Sequence, residues 1–136
     1  MVRKYNLEII GYINTFENLT KARVKDCYID KNKQLVFIVE QGEAGKAIGK
    51  AGKNINTLNK ILDKKIKVIE FNSNVVKFIE NAIYPLKAEI SQENNTITIT
   101  ANGPRLKALL IGRDQQNLKA LQDLVSKYFD VEIRVR

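Results

Sequence analysis

The sequence between positions 48 and 55 reads Ile48-Gly49-Lys50-Ala51-Gly52-Lys53-Asn54-Ile55. Its two glycines interrupt a helical pattern. Apolar residues recur at helical spacing before the interruption and after it, at Ala44, Ala47, Ile48, Ile55, Leu58, Ile61 and Leu62. The pattern therefore predicts two short helices joined by a loop with a glycine at each end, residues 49–52.

The rest of the first half predicts one further helix and three strands. The helix extends from Asn6 to about Leu19, where apolar residues again follow helical spacing. Apolar and β-branched runs predict strands at 24–29, 35–39 and 65–71, with a polar turn at 30–33. The resulting order is helix, strand, strand, helix, helix, strand.

The second half repeats this order. A helix extends from Asn74, a possible cap, to Tyr84 and is ended by Pro85. Another helix begins near Pro104, and a further helix follows it. Strands are predicted at 88–92, 96–100 and 131–135. The strict Thr-Ile alternation at 96–100 indicates a strand with one solvent-exposed face. Each half alone would bury only about 60% of its unfolded surface and be marginally stable, so the two are expected to pack together.

The two helix-loop-helix segments align residue by residue. Positions 48–55 correspond to positions 111–118, which read Ile111-Gly112-Arg113-Asp114-Gln115-Gln116-Asn117-Leu118. Only two copies are present, so the chain is an internal duplication and not a solenoid. The sequence predicts an α+β fold of two tandem units, residues 1–72 and 73–136.

The charge of the chain favours a polyanionic partner. The formal net charge is +8 and the sequence pI is about 9.6. Residues 1–71 contain 14 basic and 8 acidic side chains, against 9 and 7 in residues 72–136. Nucleic acid is the first expectation and a membrane surface the second, with contact mainly through the first half.

Composition excludes several kinds of chemistry. There is no histidine and a single cysteine, Cys27, so zinc-finger spacings and Cys-His or Ser-His-Asp catalysis are excluded, and Cys27 is predicted to be a small core residue. A P-loop would need glycine five positions before Gly49 and Ser or Thr after Lys50, but both positions are alanine. We therefore expect no enzyme activity, metal, cofactor or small-molecule substrate.

No apolar run reaches the roughly 20 residues that span a bilayer. The first twenty residues include Arg3, Lys4, Glu8 and Glu17 and contain no signal-peptide core. The expected location is the cytoplasm, with no membrane partner.

The loop at 49–52 has the properties of a phosphate-binding site. Glycines lack Cβ, so backbone and phosphate can approach closely. The loop leads into a helix N-terminus, which favours an anion, and Lys50, Lys53 and, one turn earlier, Lys46 add positive charge. The competing explanation is a helical hairpin that uses glycine only for tight packing.

This stretch resembles the GXXG loop of a KH domain, and the element order resembles the type II form. Two such modules in tandem, with no S1 domain ahead of them, resemble the archaeal NusA-like transcription termination and antitermination factors. The resemblance implies two three-stranded sheets, each with helices on one face, and a loop that clamps about four nucleotides. The RNA contacts implied are Lys46, Ile48, Gly49, Lys50, Ala51, Gly52, Lys53, Asn54 and Ile55, with Ile48 and Ile55 in the floor of a groove for bases.

The second loop departs from the pattern. Asp114 adds a negative charge, and Gln115 stands where the second glycine belongs, so backbone clamping should be weaker. The weaker contacts expected are Gly112, Arg113, Asp114, Gln115, Gln116 and Asn117. Both a weakened RNA site and a mainly structural module remain open for this half.

The leading hypothesis is a single-stranded RNA-binding factor that acts in transcription termination or antitermination. Its partners would be the nascent transcript and RNA polymerase. The alternatives are a ribosome-associated or ribosome-assembly KH protein, and a KH-fold module for protein interaction that has lost RNA binding.

Overall fold

The structure, a computed structural model, describes residues 6–136. Within this range it contains six α-helices and six β-strands. The chain divides into two compact units between Phe71 and Asn72. Arg3, Lys4 and the other residues before Asn6 in the predicted first unit lie outside the described residues. None of the helices in the described range combines the length and apolar character needed to cross a membrane.

The first unit has the predicted order of elements. They are α1 (Leu7–Thr20), β1 (Val24–Ile29), β2 (Leu35–Val39), α2 (Ala44–Ile48), α3 (Lys53–Leu62) and β3 (Ile66–Glu70). The sheet order is β1-β2-β3, with β1 antiparallel and β3 parallel to β2. A parallel pair needs a long crossover, and α2, the 3-10 turn Lys50–Gly52 and α3 provide it.

The core of the first unit lies between one face of the sheet and the three helices. Alternate residues of β2 project to this face, and Phe37 stacks on Phe16 of α1 with ring centroids 4.1 Å apart. Ala47 of α2 and Leu58 of α3 are fully buried in the same cluster, as is Cys27, which confirms the predicted role of that cysteine. The helices before and after the glycine loop are therefore both anchored to the sheet.

The second unit repeats the arrangement. Its elements are α4 (Val75–Ile83), β4 (Glu89–Glu93), β5 (Thr96–Thr100), α5 (Pro104–Ile111), α6 (Gln116–Ser126) and β6 (Glu132–Val135). The sheet order is β4-β5-β6, with an antiparallel and then a parallel pair. Ile97 and Ile99 are fully buried between more exposed threonines, so the predicted alternation is confirmed. The α+β class with two three-stranded sheets is confirmed as well.

The ends of several elements differ from the predictions by one residue. Asn6 is not the first residue of α1 but its N-cap, and the predicted possible cap at Asn74 is confirmed. The side chain of Asn6 accepts a hydrogen bond from the Ile9 N–H at 2.8 Å, and that of Asn74 accepts from Val76 and Lys77 at 3.0 and 3.2 Å. Asparagine favours this position because its side chain satisfies N–H groups that have no partner within the helix. The strands predicted at 65–71, 88–92 and 131–135 are observed at Ile66–Glu70, Glu89–Glu93 and Glu132–Val135.

Replacing Asn74 with alanine should lower the free energy of unfolding by about 1 kcal/mol, since the cap on α4 is lost. Asn14, exposed in the middle of α1, provides the matched control, because alanine at an exposed helical position removes no cap and has higher helix propensity. Urea denaturation of the two variants measures the difference. Equal destabilisation by Asn74→Ala and Asn14→Ala would contradict the capping role.

Candidate nucleic-acid interface

The loop between α2 and α3 has an unusual backbone. Positive φ angles occur at Gly49 (76°), Ala51 (55°) and Gly52 (74°). The ψ of 170° at Gly49 places that residue in a region open almost only to glycine. Ala51 adopts the left-handed conformation despite its Cβ, which costs roughly 1 kcal/mol. The loop is thus held in a conformation that the chain would not adopt without support.

The two glycines of this loop have different surroundings. A Cβ added at Gly49 would lie 2.8 Å from Cγ and 2.9 Å from Nδ2 of Asn54. A Cβ added at Gly52 would meet nothing closer than 4.0 Å, the distance to Nδ2 of Asn56. Gly49 is therefore required by both space and backbone conformation. Gly52 is favoured within the protein by its φ alone.

Asn54 joins the two helices across the loop. Its Nδ2 donates a hydrogen bond to the backbone carbonyl of Lys46 at 2.8 Å. That carbonyl belongs to the last turn of α2, where carbonyls have no partner within the helix. Sequence analysis assigned Asn54 to RNA contact and missed this bond. The signal available was the recurrence of asparagine five positions after the first glycine in both loops.

The lysines around the loop differ in their partners. Lys46 Nζ lies 3.1 Å from a carboxylate oxygen of Glu43, whose other oxygen accepts a hydrogen bond from the backbone N–H of Arg23 at 3.1 Å. The hydrogen bond from Lys46, and then that from Arg23, lower the pKa of Glu43 below its usual value. Within residues 6–136, neither Lys50 nor Lys53 has an acidic partner.

Glu43 is a second feature that sequence analysis missed. A glutamate three positions before a lysine on a helical stretch is the pattern that indicates such a pair. The positive charge next to the loop therefore consists of two lysines without an acidic partner in the described chain, Lys50 and Lys53, and one shared with a carboxylate, Lys46.

The helix that follows the loop begins without a side-chain cap. Its N-cap residue is Gly52, which has no side chain to accept from the first N–H groups. The positive end of the helix dipole therefore lies beside Lys50 and Lys53, and both favour an anion. On the apolar side, Ile48 is 44% exposed next to the loop, whereas Ile55 is half-buried and packs against the core. Of the two predicted floor residues, Ile48 is the more accessible.

The second loop reproduces the backbone of the first. Gly112 has φ 75° and ψ 173°, Asp114 has φ 53° and ψ 30°, and Gln115 has φ 62° and ψ 21°. Nδ2 of Asn117 donates to the carbonyl of Leu109 at 2.9 Å, as Asn54 does to Lys46. The substitutions at Asp114 and Gln115 therefore leave the conformation of the loop unchanged.

The two loops differ in charge. Leu109, half exposed, stands where the first loop has Lys46, and Gln116 stands where it has Lys53. Arg113 replaces Lys50, but the carboxylate of Asp114 next to it offsets its charge. The three lysines give the first loop a net charge of +3, whereas the equivalent positions of the second loop, with Asp114, have a net charge of zero.

Comparison with known proteins finds the same kind of module. A family model described as "KH domain" matches residues 11–83, which run from within α1 to the end of α4. No curated protein matches the chain. A solved structure titled "Crystal structure of APE1850" is similar over 97% of this chain and 100% of its own, with 31% identity and a TM-score of 0.71.

Proposed function

Because this chain belongs to the KH domain family, we propose that it binds single-stranded RNA and holds the RNA backbone at the loop Gly49–Gly52. KH domains are RNA-binding modules in which this loop clamps about four nucleotides by their backbone. Residues 1–72 and 73–136 would each form one such module. One observation supports the proposal most: two lysines without acidic partners in the described chain, Lys50 within the glycine loop and Lys53 directly after it, lie at the start of an uncapped helix.

The proposed contact with phosphate combines three features of the first loop. The N–H groups at the start of α3 have no side-chain acceptor and form the positive end of the helix dipole. Lys50 and Lys53 add full charges at the same place. The space beside Gly52 is open, so a phosphate could approach the backbone there without meeting a side chain.

The bases would contact the apolar surface beside the loop. Ile48 is the exposed apolar residue nearest to it, and Ile55 lies behind it against the core. Lys46 would reach RNA by exchanging its contact with Glu43 for a phosphate. Lys46 should therefore contribute less to affinity than Lys50 or Lys53.

The second loop is proposed to bind RNA weakly and to extend or orient the strand that the first loop holds. Its conformation matches that of the first loop, but its charges cancel and Gln115 adds a side chain where phosphate would approach. Arg113 is the cation that remains for a backbone contact.

Salt dependence measures the number of phosphates engaged. With single-stranded RNA, each neutralised phosphate contributes about −0.7 to the slope of log affinity against log salt. Three lysines at the first loop predict a slope of roughly −2, and a full four-nucleotide clamp one of roughly −3. A short unstructured RNA and fluorescence anisotropy are sufficient for the measurement. A flat response would contradict backbone clamping.

We further propose that the bound RNA is a nascent transcript and that the chain acts with RNA polymerase in termination or antitermination. The support is the resemblance of two tandem KH modules to NusA-like factors. Affinity purification from the native cell tests it. Recovery of polymerase subunits would support the proposal, whereas recovery of small ribosomal subunits would favour the ribosome-associated alternative. Recovery of another protein without RNA would favour an interaction module.

A further inference from the structure

We infer that Asn54 is a positioning residue that sets the shape of the first loop, and that Gly49 is glycine because the amide of Asn54 occupies the space of a Cβ. The role of Asn54 in RNA affinity rests on the proposed function; its pairing with Gly49 does not. Both statements replace the simpler expectation that Gly49 admits phosphate and that Asn54 contacts RNA.

The side chain of Asn54 forms a hydrogen bond within the protein. Its Nδ2 reaches 2.8 Å to the carbonyl of Lys46, so the first turn of α3 is tied to the last turn of α2. The chain between them has positive φ at Gly49, Ala51 and Gly52. A single side chain thus spans the strained segment and fixes the two helices on either side of it.

The space at Gly49 is filled by the same amide. An added Cβ would approach Cγ at 2.8 Å, Nδ2 at 2.9 Å and the backbone nitrogen of Asn54 at 3.1 Å. Two of these three atoms belong to the side chain. The amide group therefore contributes the two closest contacts that exclude a Cβ at position 49, and the backbone nitrogen of Asn54 and the positive φ of Gly49 add to the requirement for glycine.

The second unit provides an independent instance of the pair. A Cβ at Gly112 would lie 2.6 Å from Cγ and 2.7 Å from Nδ2 of Asn117, which donates to the Leu109 carbonyl. The pair is retained although the lysines around it are not. Its geometry therefore accompanies the loop conformation and not the positive charge, as a positioning role requires.

A double-mutant cycle on the full chain tests the pairing. Gly49→Ala, Asn54→Ala and the double variant are compared with the wild type by urea denaturation. In the Asn54→Ala background, the loss in urea midpoint caused by Gly49→Ala should be smaller but not abolished, because the colliding amide is gone while the backbone strain at position 49 remains. Additive losses would overturn the pairing. The cycle of Gly112→Ala with Asn117→Ala repeats the test with the same two outcomes if Gly49→Ala does not fold.

RNA affinity tests the positioning role. Asn54→Ala should weaken binding roughly tenfold, equally for all short RNA sequences and with the salt slope unchanged, since every cation remains. Asn54→Asp, which keeps the size but cannot donate as a carboxylate and adds a negative charge beside the loop, should lose at least as much affinity. Asn14→Ala is the control, which removes an exposed asparagine side chain in the middle of α1, outside both loops, and should leave affinity within about twofold.

The alternative outcomes distinguish the two claims. An altered sequence preference in Asn54→Ala would show a direct base contact and overturn the positioning role, and unchanged affinity would overturn it too. If charge reversal at Lys50 leaves RNA binding intact, the proposed function fails. In that case a coupled urea cycle would still establish the pairing of Gly49 with Asn54.

Discussion

Replacing Lys50 and Ala51 together with aspartate is expected to lower the affinity for short single-stranded RNA by roughly 100-fold or more. A hydrogen bond to a charged group contributes about 1.5–3 kcal/mol, and each 1.4 kcal/mol is a factor of ten in affinity. Lys50→Asp removes one such cation, and the two new carboxylates would face the phosphates. The net charge at the loop would fall from +3 to zero.

The fold should tolerate this double change. Both side chains are exposed, and the second loop already has an aspartate at the position of Ala51, with φ 53° against 55°. A thermal or urea unfolding curve close to that of the wild type is therefore expected. Any loss of affinity can then be assigned to charge and not to unfolding.

The matched control is Arg113→Asp, which makes the equivalent exchange in the second loop, where Asp114 is already present. Affinity should fall only a few-fold, since this loop is proposed to bind weakly. If Arg113→Asp abolished RNA binding while the first-loop variant bound normally, the assignment of the two units would be reversed.

Restoring charge to the second loop should create an RNA site there. The changes are Leu109→Lys, Asp114→Ala, Gln115→Gly and Gln116→Lys, which copy the first loop onto a backbone that already has its conformation. Made in the chain with Lys50→Asp and Ala51→Asp, they should recover roughly tenfold or more in affinity. The salt slope should steepen by roughly 2 relative to that parent, since the four changes add two lysines and remove a carboxylate.

A single substitution tests whether charge or the space beside the backbone limits binding at the second loop. Gln115→Gly alone opens the approach to the backbone but leaves the charges cancelled, so it should recover little affinity. If the complete graft fails to bind while its unfolding curve is normal, then charge is not what distinguishes the loops. The proposal for the second unit would then need a different basis.

Much of the fold follows from local pattern. The buried strand β2 and the alternating strand β5 are set by runs of apolar and β-branched residues, which have few other stable arrangements. The start of α1 was less predictable than that of α4, because Asn6 satisfies an N–H group from outside the helix while continuing the sequence pattern of the helix.

The loop between α2 and α3 was predictable in position, but the contacts of its residues within the protein were not. Two glycines and flanking lysines located the loop, since these residue types have strong local meaning. The hydrogen bond from Asn54 to Lys46 and the ion pair of Lys46 with Glu43 depend on how two helices meet. The likeness of the loop backbones at Asp114 and Ala51 was likewise hidden, because residue type alone predicts different conformations there.

The most direct test of RNA binding at the first loop is an NMR titration of the ¹⁵N-labelled chain with a short single-stranded RNA. Amide resonances of Gly49, Lys50, Ala51 and Gly52 should shift in a saturable way, while those of Gly112 and Gln115 move little. Charge reversal at Lys50 and Ala51 should remove the shifts. If RNA binding saturated while the first-loop resonances did not shift, binding at the first loop would be contradicted.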